Sequence, residues 1–161
     1  MNIFFKEHKI LLEKLISAGV KFIIVGGYAI NYHGYNRTTG DLDIWIKPGN
    51  DNRDILLVVL KELRFREESL QNLRQADFGQ PFAFHFWDEP YKVDIMTKIS
   101  GVSFDEADTK KIIMNYEGLS IPFLDLHHLI LSKLSTGRSR DQVDVETLQK
   151  IEKLKGQKPD R

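Results

Sequence analysis

The chain contains no cysteine among its 161 residues, so disulfide bonds, thiolate nucleophiles and cysteine-ligated zinc are all excluded. Any metal chemistry must therefore use oxygen or imidazole ligands. An excess of one charge is also lacking, because 23 basic and 23 acidic side chains give a net charge of zero. No field of the whole molecule attracts nucleic acid or an anionic membrane, and a polyanion would have to be bound locally.

Long apolar runs are missing as well. The segment MNIFFKEHKILLEKL interrupts its apolar side chains with charges and contains no secretory h-region. No other run approaches the length of a membrane span. We therefore expect a cytoplasmic protein with no membrane partner.

The residues that are present predict helices and strands in alternation. The clearest predicted strand is the β-branched run 21–25, which Gly26-Gly27 ends before a second helix expected from Tyr28. Residues 67–80 are expected to be a surface excursion. A first helix is predicted from Phe5, with Gly19 just past its end, and further helices are predicted over 51–65, 125–134 and 140–154. Strands are predicted at 41–46, 82–87 and 91–96. A strand pair that turns at Glu117-Gly118 is predicted within 111–123.

This order predicts an α/β (α+β) fold with a mixed β-sheet flanked by helices. The length suits one domain spanning 1–161 rather than two. Within it we expect an α/β core over 1–122, with C-terminal helices over 123–155 packed on that core. The last residues, GQKPDR, are expected to form a frayed tail.

Two acids interrupt a strand that is otherwise apolar. Because strand side chains alternate, Asp41 and Asp43 share one face while Leu42 and Ile44 share the other. Like charges this close repel unless a cation lies between them, and Mg²⁺ (or Mn²⁺) accepts carboxylate and phosphate oxygens. Asp94, in the strand-like run KVDIM, is the best candidate for a third acid.

Each of these signals has a simpler explanation when taken singly. Two alternating acids on a strand are more often a solvated sheet face, and a Gly-Gly pair after a strand is more often a plain turn. The same strand, glycine turn and helix start also present backbone N–H groups that suit a phosphate. The combination of the two signals therefore carries more information than either one.

From Val25 to Ile44 the chain resembles the nucleotidyltransferase superfamily of the DNA polymerase β type, with a looser resemblance through Asp94. The shared features are an apolar residue, Gly-Gly, a spacer, and an acid pair around an apolar residue. The resemblance implies a metal-dependent nucleotidyltransferase of the EC 2.7.7 type that uses a nucleoside triphosphate such as ATP. It also implies that Gly26 and Gly27 bind the nucleotide, and that the catalytic metal ligands are Asp41, Asp43 and Asp94.

A second stretch, KLSTGRSRDQVDVETL, is similar to the C-terminal helical motif of a bacterial branch related to abortive-infection toxins. This resemblance implies that Lys133, with Arg37 ahead of the acid pair, neutralises the triphosphate. It also implies a toxin–antitoxin or phage-defence role with a cognate partner protein. Two departures are Gly27, where many relatives carry Ser, and Arg140, where relatives usually carry Lys.

The helical spacing around Lys133 gives a prediction that does not depend on any family resemblance. Lys133 interrupts an inward-facing apolar stripe, so it needs an anionic partner or must extend its ammonium group to solvent. The motif also includes charged residues that could equally form a solvated helix start. We expect them to be structural, or to support the residues that contact the substrate, rather than to be catalytic: Arg138, Arg140, Asp141 and Asp144.

Other polar and aromatic residues are weaker candidates. His127 and His128 are adjacent and cannot both face one ion from a helix, so they are expected at the surface. His85 alternates with phenylalanines and is expected on the side of Asp94. Contact with a nucleotide is conceivable but not favoured for three further residues: Tyr28, His33 and Tyr35.

The acceptor is not determined by the sequence. A tRNA end, a protein hydroxyl, a small molecule and another nucleotide all remain open. Two other classes of protein remain open too: a catalytically silent nucleotide-binding or partner-binding module of the same fold, and a structural domain whose acids are surface charges.

Overall fold

The computed structural model describes residues 3–36 and 40–156. Arg37 and the predicted tail beyond Gly156 lie outside these residues. The described part contains seven helices, α1 (Lys6–Ala18), α2 (Gly26–Tyr32), α3 (Asn50–Glu62), α4 (Glu67–Gln75), α5 (Phe104–Lys110), α6 (Leu126–Thr136) and α7 (Ser139–Gly156). Its six strands are β1 (Phe22–Val25), β2 (Leu42–Ile46), β3 (Ala83–Phe86), β4 (Val93–Met96), β5 (Ile112–Tyr116) and β6 (Leu119–Phe123). None of these helices combines the length and apolarity needed to cross a membrane.

The strands form one mixed sheet in the order β3-β4-β2-β1-β6-β5. Strand β1 is antiparallel to β2 and parallel to β6, while β2 is parallel to β4. The two outer strands, β3 and β5, each pair with an antiparallel hairpin partner. The predicted mixed sheet flanked by helices is therefore confirmed.

The central strands are buried because their side chains are apolar on both faces. All four residues of β1 are buried, and Ile23 and Ile24 are fully enclosed. Each such side chain contributes about 1.5–3 kcal/mol by leaving water. Helix α1 adds Leu11, Leu12 and Leu15 to the same core at helical spacing, and Gly19 ends the helix in a left-handed conformation with φ of 82°.

Two predictions of local structure are wrong, and one helix was not predicted. The excursion predicted over 67–80 contains α4, whose two apolar residues are both buried but are too few to produce a visible periodic pattern. Helix α2 begins at Gly26 rather than at Tyr28, so the glycine pair forms its first turn. Helix α5 was not predicted, although Ser103 caps it by accepting a hydrogen bond from the Glu106 N–H, a pairing visible in the sequence as S-x-x-E.

A polar cluster fixes the point at which the chain leaves β4. The Trp45 indole donates a hydrogen bond to the Thr97 carbonyl at 3.1 Å. The Thr97 hydroxyl accepts one from the Phe82 N–H at 2.9 Å and donates one to the Gln80 carbonyl at 2.8 Å. These contacts determine where the loop after β4 begins, and that loop reaches the candidate site described below.

Two histidines are buried within the fold. The Nε2–H of His8 donates to the Tyr91 carbonyl at 2.9 Å, and that of His33 donates to the Leu124 carbonyl at 2.7 Å. Among the residues that the structure describes, neither Nδ1 atom has a hydrogen-bond partner. Burial lowers the pKa of both histidines below the ordinary value of 6.5, so the folded protein favours the neutral rings.

We predict that the two buried histidines contribute a decrease in the free energy of unfolding as the pH falls below about 6.5, because the unfolded chain then binds protons that the buried rings do not. Asp43, whose pKa is raised to about 7, acts in the opposite direction over the same range, so the histidine contribution is the difference between the unaltered protein and its histidine variants. Stability from a histidine with a lowered folded-state pKa is complete above the unfolded pKa and is lost at lower pH. Urea denaturation at about pH 7.5 and about pH 5.5 measures the change. His8→Gln and His33→Gln should each reduce this pH dependence, whereas an unchanged dependence in the double variant would contradict the prediction.

Candidate active site

Strands β2 and β4 bring the predicted acids together. In their parallel register Asp43 lies opposite Asp94, and Val25 at the end of β1 lies opposite Asp43 on the other side. Asp41 precedes β2 and, by alternation, faces the same way as Asp43. The carboxyl group of Asp94 interacts with the carboxyl groups of both Asp41 and Asp43.

This arrangement crowds negative charge into a partly buried place. Burial, followed by the proximity of Asp94 and Asp41, raises the pKa of Asp43 to about 7. Burial also raises the pKa of Asp94, with Asp41 adding to the effect and Lys92 opposing it. The acids therefore repel one another, as expected for carboxyl groups that share a site without sufficient positive charge.

Sequence analysis missed two charged neighbours of these acids. The Lys92 ammonium lies 3.5 Å from Asp41 Oδ2 and 3.9 Å from Asp94 Oδ1. The carboxyl of Glu89 lies beside that of Asp41, which raises the pKa of Glu89. Lys92 could have been found, because it stands two positions before Asp94 and alternation puts both on one face.

The acids are not preassembled as a metal cage. Within the described ranges 3–36 and 40–156, no three His, Asp or Glu side chains have the arrangement of a metal site. The donor chemistry nevertheless fits a hard cation, because the cluster offers carboxylate oxygens whose mutual repulsion such an ion would relieve. Here Lys92 supplies the positive charge between Asp41 and Asp94.

Gly26 permits the close approach of α2 to the acids. Its φ is +68°, and a Cβ atom added to it would lie 2.0 Å from Asp43 Oδ2. Any larger residue would therefore displace the Asp43 carboxylate. Helix α2 has only seven residues, so an anion here would be bound by the N–H groups of Gly26 and Gly27 rather than by a helix dipole.

Asp41, Asp43, Gly26 and Gly27 line a cleft of about 580 Å³. The loop after β4 and helices α6 and α7 also contribute to its lining. The charged residues that line it are Asp41, Asp43, Lys98, Lys133, Arg138, Arg140, Asp141 and Asp144. Carboxylates and cations therefore reach one concave surface from four separate elements of the chain.

Lys133 is already engaged by two buried carboxylates. Its ammonium donates to Asp141 Oδ1 at 3.1 Å and to Asp144 Oδ2 at 3.2 Å. Asp141 Oδ2 also accepts hydrogen bonds from Arg138 Nε at 2.7 Å and the Thr136 hydroxyl at 2.6 Å. Although burial opposes the change, these three donors lower the pKa of Asp141 to about 2. We call the group formed by Lys133, Thr136, Arg138, Asp141 and Asp144 the α6–α7 ionic cluster.

The remaining candidates occupy other positions. Arg37 lies outside the described residues. His33 and Tyr28 are buried in the fold, and His128 lies 2.6 Å from Asp125, which caps α6. His127 is exposed, as expected. His85 stands opposite Asp94 in the β3–β4 pairing, on the side that its alternation predicted.

The fold is that of nucleotidyltransferases. A candidate nucleotidyltransferase from Thermotoga maritima superposes with a TM-score of 0.59 at 18% identity, covering 90% of this chain and 89% of that one. An antigenic nucleotidyltransferase-like protein from Paracoccidioides brasiliensis superposes with a TM-score of 0.52 at 17% identity, covering 90% and 73%. These likenesses establish the fold and leave the activity to be argued from the site.

Two further comparisons complete the result. A lincosamide antibiotic adenylyltransferase, solved with lincomycin bound, superposes with a TM-score of 0.48 at 16% identity, covering 94% of this chain and 99% of that one. No protein-family model and no curated protein matches the sequence.

We predict that Gly26→Ala lowers stability and displaces Asp43, because the new methyl group would occupy the position of the Asp43 carboxylate. Gly137→Ala is a matched control, since Gly137 has φ of +67° and an added Cβ would meet nothing within 4 Å. Both variants carry the backbone strain of a left-handed alanine, about 1–2 kcal/mol. Urea denaturation should show a larger loss for Gly26→Ala, and equal losses would contradict the steric argument.

We predict that Lys133→Met lowers the free energy of unfolding by about 3 kcal/mol, because it leaves the buried carboxylates of Asp141 and Asp144 without their ammonium partner. Lys150→Met changes an exposed lysine of α7 and should have little effect. Thermal or urea denaturation measures both variants. A Lys133→Met protein as stable as the control would show that the α6–α7 ionic cluster does not stabilise the fold.

Proposed function

We propose that the protein is a metal-dependent nucleotidyltransferase that transfers a nucleoside monophosphate from a nucleoside triphosphate to an acceptor hydroxyl. The observation that carries the proposal is the meeting of Asp41, Asp43 and Asp94 beside Gly26, where Asp41 and Asp43 line a cleft that cationic side chains also line. The nucleotidyltransferase fold supports it.

In this proposal Asp41, Asp43 and Asp94 would hold Mg²⁺ or Mn²⁺. The raised pKa of Asp43 supports the assignment, because it results from burial together with the negative charges of Asp94 and Asp41, and a divalent cation would offset both effects. When bound, such ions neutralise the triphosphate and favour ionisation of the attacking hydroxyl. Lys92, which lies between Asp41 and Asp94, would have to swing towards solvent as the ions enter, and its intermediate exposure allows that movement.

The backbone of the chain would bind the triphosphate, and the bond changes of the transfer would take place between the two substrates. The backbone N–H groups of Gly26 and Gly27 would bind the triphosphate and align its α-phosphorus with the acceptor. The acceptor oxygen forms a bond to that phosphorus while the bond to the bridging oxygen of pyrophosphate breaks. Pyrophosphate leaves with the electron pair, and the acceptor proton passes to the Asp94 carboxylate.

The acceptor and the biological setting stay predictions. A tRNA end, a protein and a small molecule each offer a hydroxyl that this chemistry could use. A toxin–antitoxin or phage-defence role follows only from the resemblance of the C-terminal motif. Incubation with each labelled triphosphate and cell extract, followed by separation of RNA, protein and small molecules, would identify the acceptor.

We predict that Asp43→Asn and Asp94→Asn each reduce label transfer by roughly 100-fold or more, because the lost carboxylate cannot be replaced by a neutral amide. Without metal, Asp43→Asn should be as stable as the unaltered protein or more so, since it relieves repulsion. Asp105→Asn changes an exposed acid of α5 and serves as the control.

Transfer that survives in both Asp43→Asn and Asp94→Asn would refute the proposed function. Stabilisation by triphosphate and Mg²⁺ without product on any acceptor would instead favour the silent binding module. If neither divalent ions nor nucleotides alter thermal stability, the acids would be structural surface charges.

A further inference from the structure

Strand β5 forms one outer edge of the sheet and is apolar along most of its length. Its sequence is IIMNY, and among the described residues it pairs only with β6. Ile112 and Ile113 are 37% and 46% exposed. A row of unpaired backbone groups beside exposed apolar side chains is a surface on which another strand can pair.

The other outer strand, β3, is better protected against such pairing. Pro81 lies just before it, and Trp87 bends the chain directly after it with a left-handed φ of 61°. Proline, bends and charged side chains are the usual means by which proteins block an exposed strand edge. Strand β5 contains no proline, glycine or charged residue, so its edge is open to a partner strand.

The pairing of β5 with β6 determines which backbone groups of β5 face outward. The turn over 117–118 has two residues, so Tyr116 and its partner close the hairpin as a hydrogen-bonded pair. Hydrogen-bonded pairs alternate along an antiparallel ladder, and Pro122, which lacks an N–H group, accordingly falls in a non-hydrogen-bonded pair with Ile113. The N–H and C=O groups of Ile113 and Asn115 therefore point away from the sheet.

These outward groups complement a second copy of themselves. When two β5 strands meet antiparallel with Met114 opposite Met114, Ile113 of each copy lies opposite Asn115 of the other, and the two residues can exchange both hydrogen bonds. The alternate positions bring Ile112 of each copy opposite Tyr116 of the other. Apolar and aromatic cross-strand pairs of this kind stabilise sheets, and the two-fold relation is that of an isologous dimer.

The charges at the two ends of β5 fit the same register. It brings Lys111, just before the strand, opposite Glu117, just after the strand, and does so twice because of the two-fold axis. Within one chain Lys111 already pairs with Asp108, and Glu117 pairs with Lys9. The contact between copies would therefore join two partly exposed ion pairs into a network. A register shifted by two residues would separate Lys111 from Glu117.

We propose that β5 is the interface of a homodimer, in which the β5 strands of two copies pair antiparallel about Met114 and join the two sheets into one. The proposal is independent of the proposed function. Strand β5 lies three strands from β2, which is roughly 14 Å at the usual strand spacing, so the candidate acids lie away from the interface.

Sedimentation velocity of the full chain over roughly 1 to 100 µM measures the association. Ile113→Lys places a charge within the interface, and Asn115→Pro removes an outward N–H group, so each should raise the dissociation constant at least about 10-fold. Val58→Lys makes the same apolar-to-charged change at a residue of α3 that is 55% exposed, and it should associate like the unaltered protein. Melting temperatures show whether each variant keeps its fold.

Exchange of charges tests the register. Lys111→Glu should weaken association because it sets two carboxylates opposite each other, and Glu117→Lys should weaken it by setting two ammonium groups opposite each other. The double exchange should restore association. Neither residue is buried, so these variants test the proposal even if Ile113→Lys or Asn115→Pro fails to fold. A double exchange that associates no better than the single variants would overturn the proposed register.

The absence of cysteine from the chain allows an independent test by cross-linking. Met114→Cys would place two thiols in a non-hydrogen-bonded pair with Cα atoms about 4.5 Å apart, which is within the range of a disulfide. Mild oxidation should therefore give a covalent dimer on a non-reducing gel. Val58→Cys is the control and should give none.

Two results would overturn the proposal as a whole. One is an unaltered protein that stays monomeric at roughly 100 µM. The other is a dimer that Ile113→Lys and Asn115→Pro leave intact, because its interface would then lie elsewhere. Since these measurements need neither nucleotide nor metal, such a failure would leave the proposed function standing.

Discussion

The register between β2 and β4 is the constraint on which the candidate site depends. It places Asp43 directly opposite Asp94, so two carboxyl groups come from adjacent strands onto one face of the sheet. A shift of one residue would turn Asp94 to the other face, into the core. The apolar partners Ile44 and Ile95, which are buried on that other face, prevent the shift because either would then be exposed to solvent.

Around this register the chain holds charges that are unfavourable by themselves. Gly26 has no side chain, so α2 can approach the Asp43 carboxylate without a clash. Lys92 places its ammonium between Asp41 and Asp94, yet the pKa of Asp43 is still raised to about 7. Burial of the Asp43 carboxyl and its repulsion from Asp94 and Asp41 both disfavour its charged form, and a bound cation would offset both effects.

The α6–α7 ionic cluster shows how a lysine on an apolar helical stripe is accommodated in the fold. Lys133 has the charge expected of a phosphate ligand, and its helical spacing predicts that it needs an anionic partner. In the folded protein that partner is supplied by Asp141 and Asp144 of the next helix. Lys133, Asp141 and Asp144 also line the cleft, so this cluster is part of the same concave surface as Asp41 and Asp43.

The sequence by itself determined the mixed sheet and the candidate acids, because alternation and buried apolar runs are local properties that survive without tertiary information. It missed α4, where only Leu70 and Leu73 face inward. Only the tertiary structure decided which charges neutralise one another, since ion pairs between helices depend on distances that sequence spacing does not contain. Alternation along the strand places Lys92 on the same face as Asp94, whereas its contact with Asp41 depends on the pairing of β2 with β4.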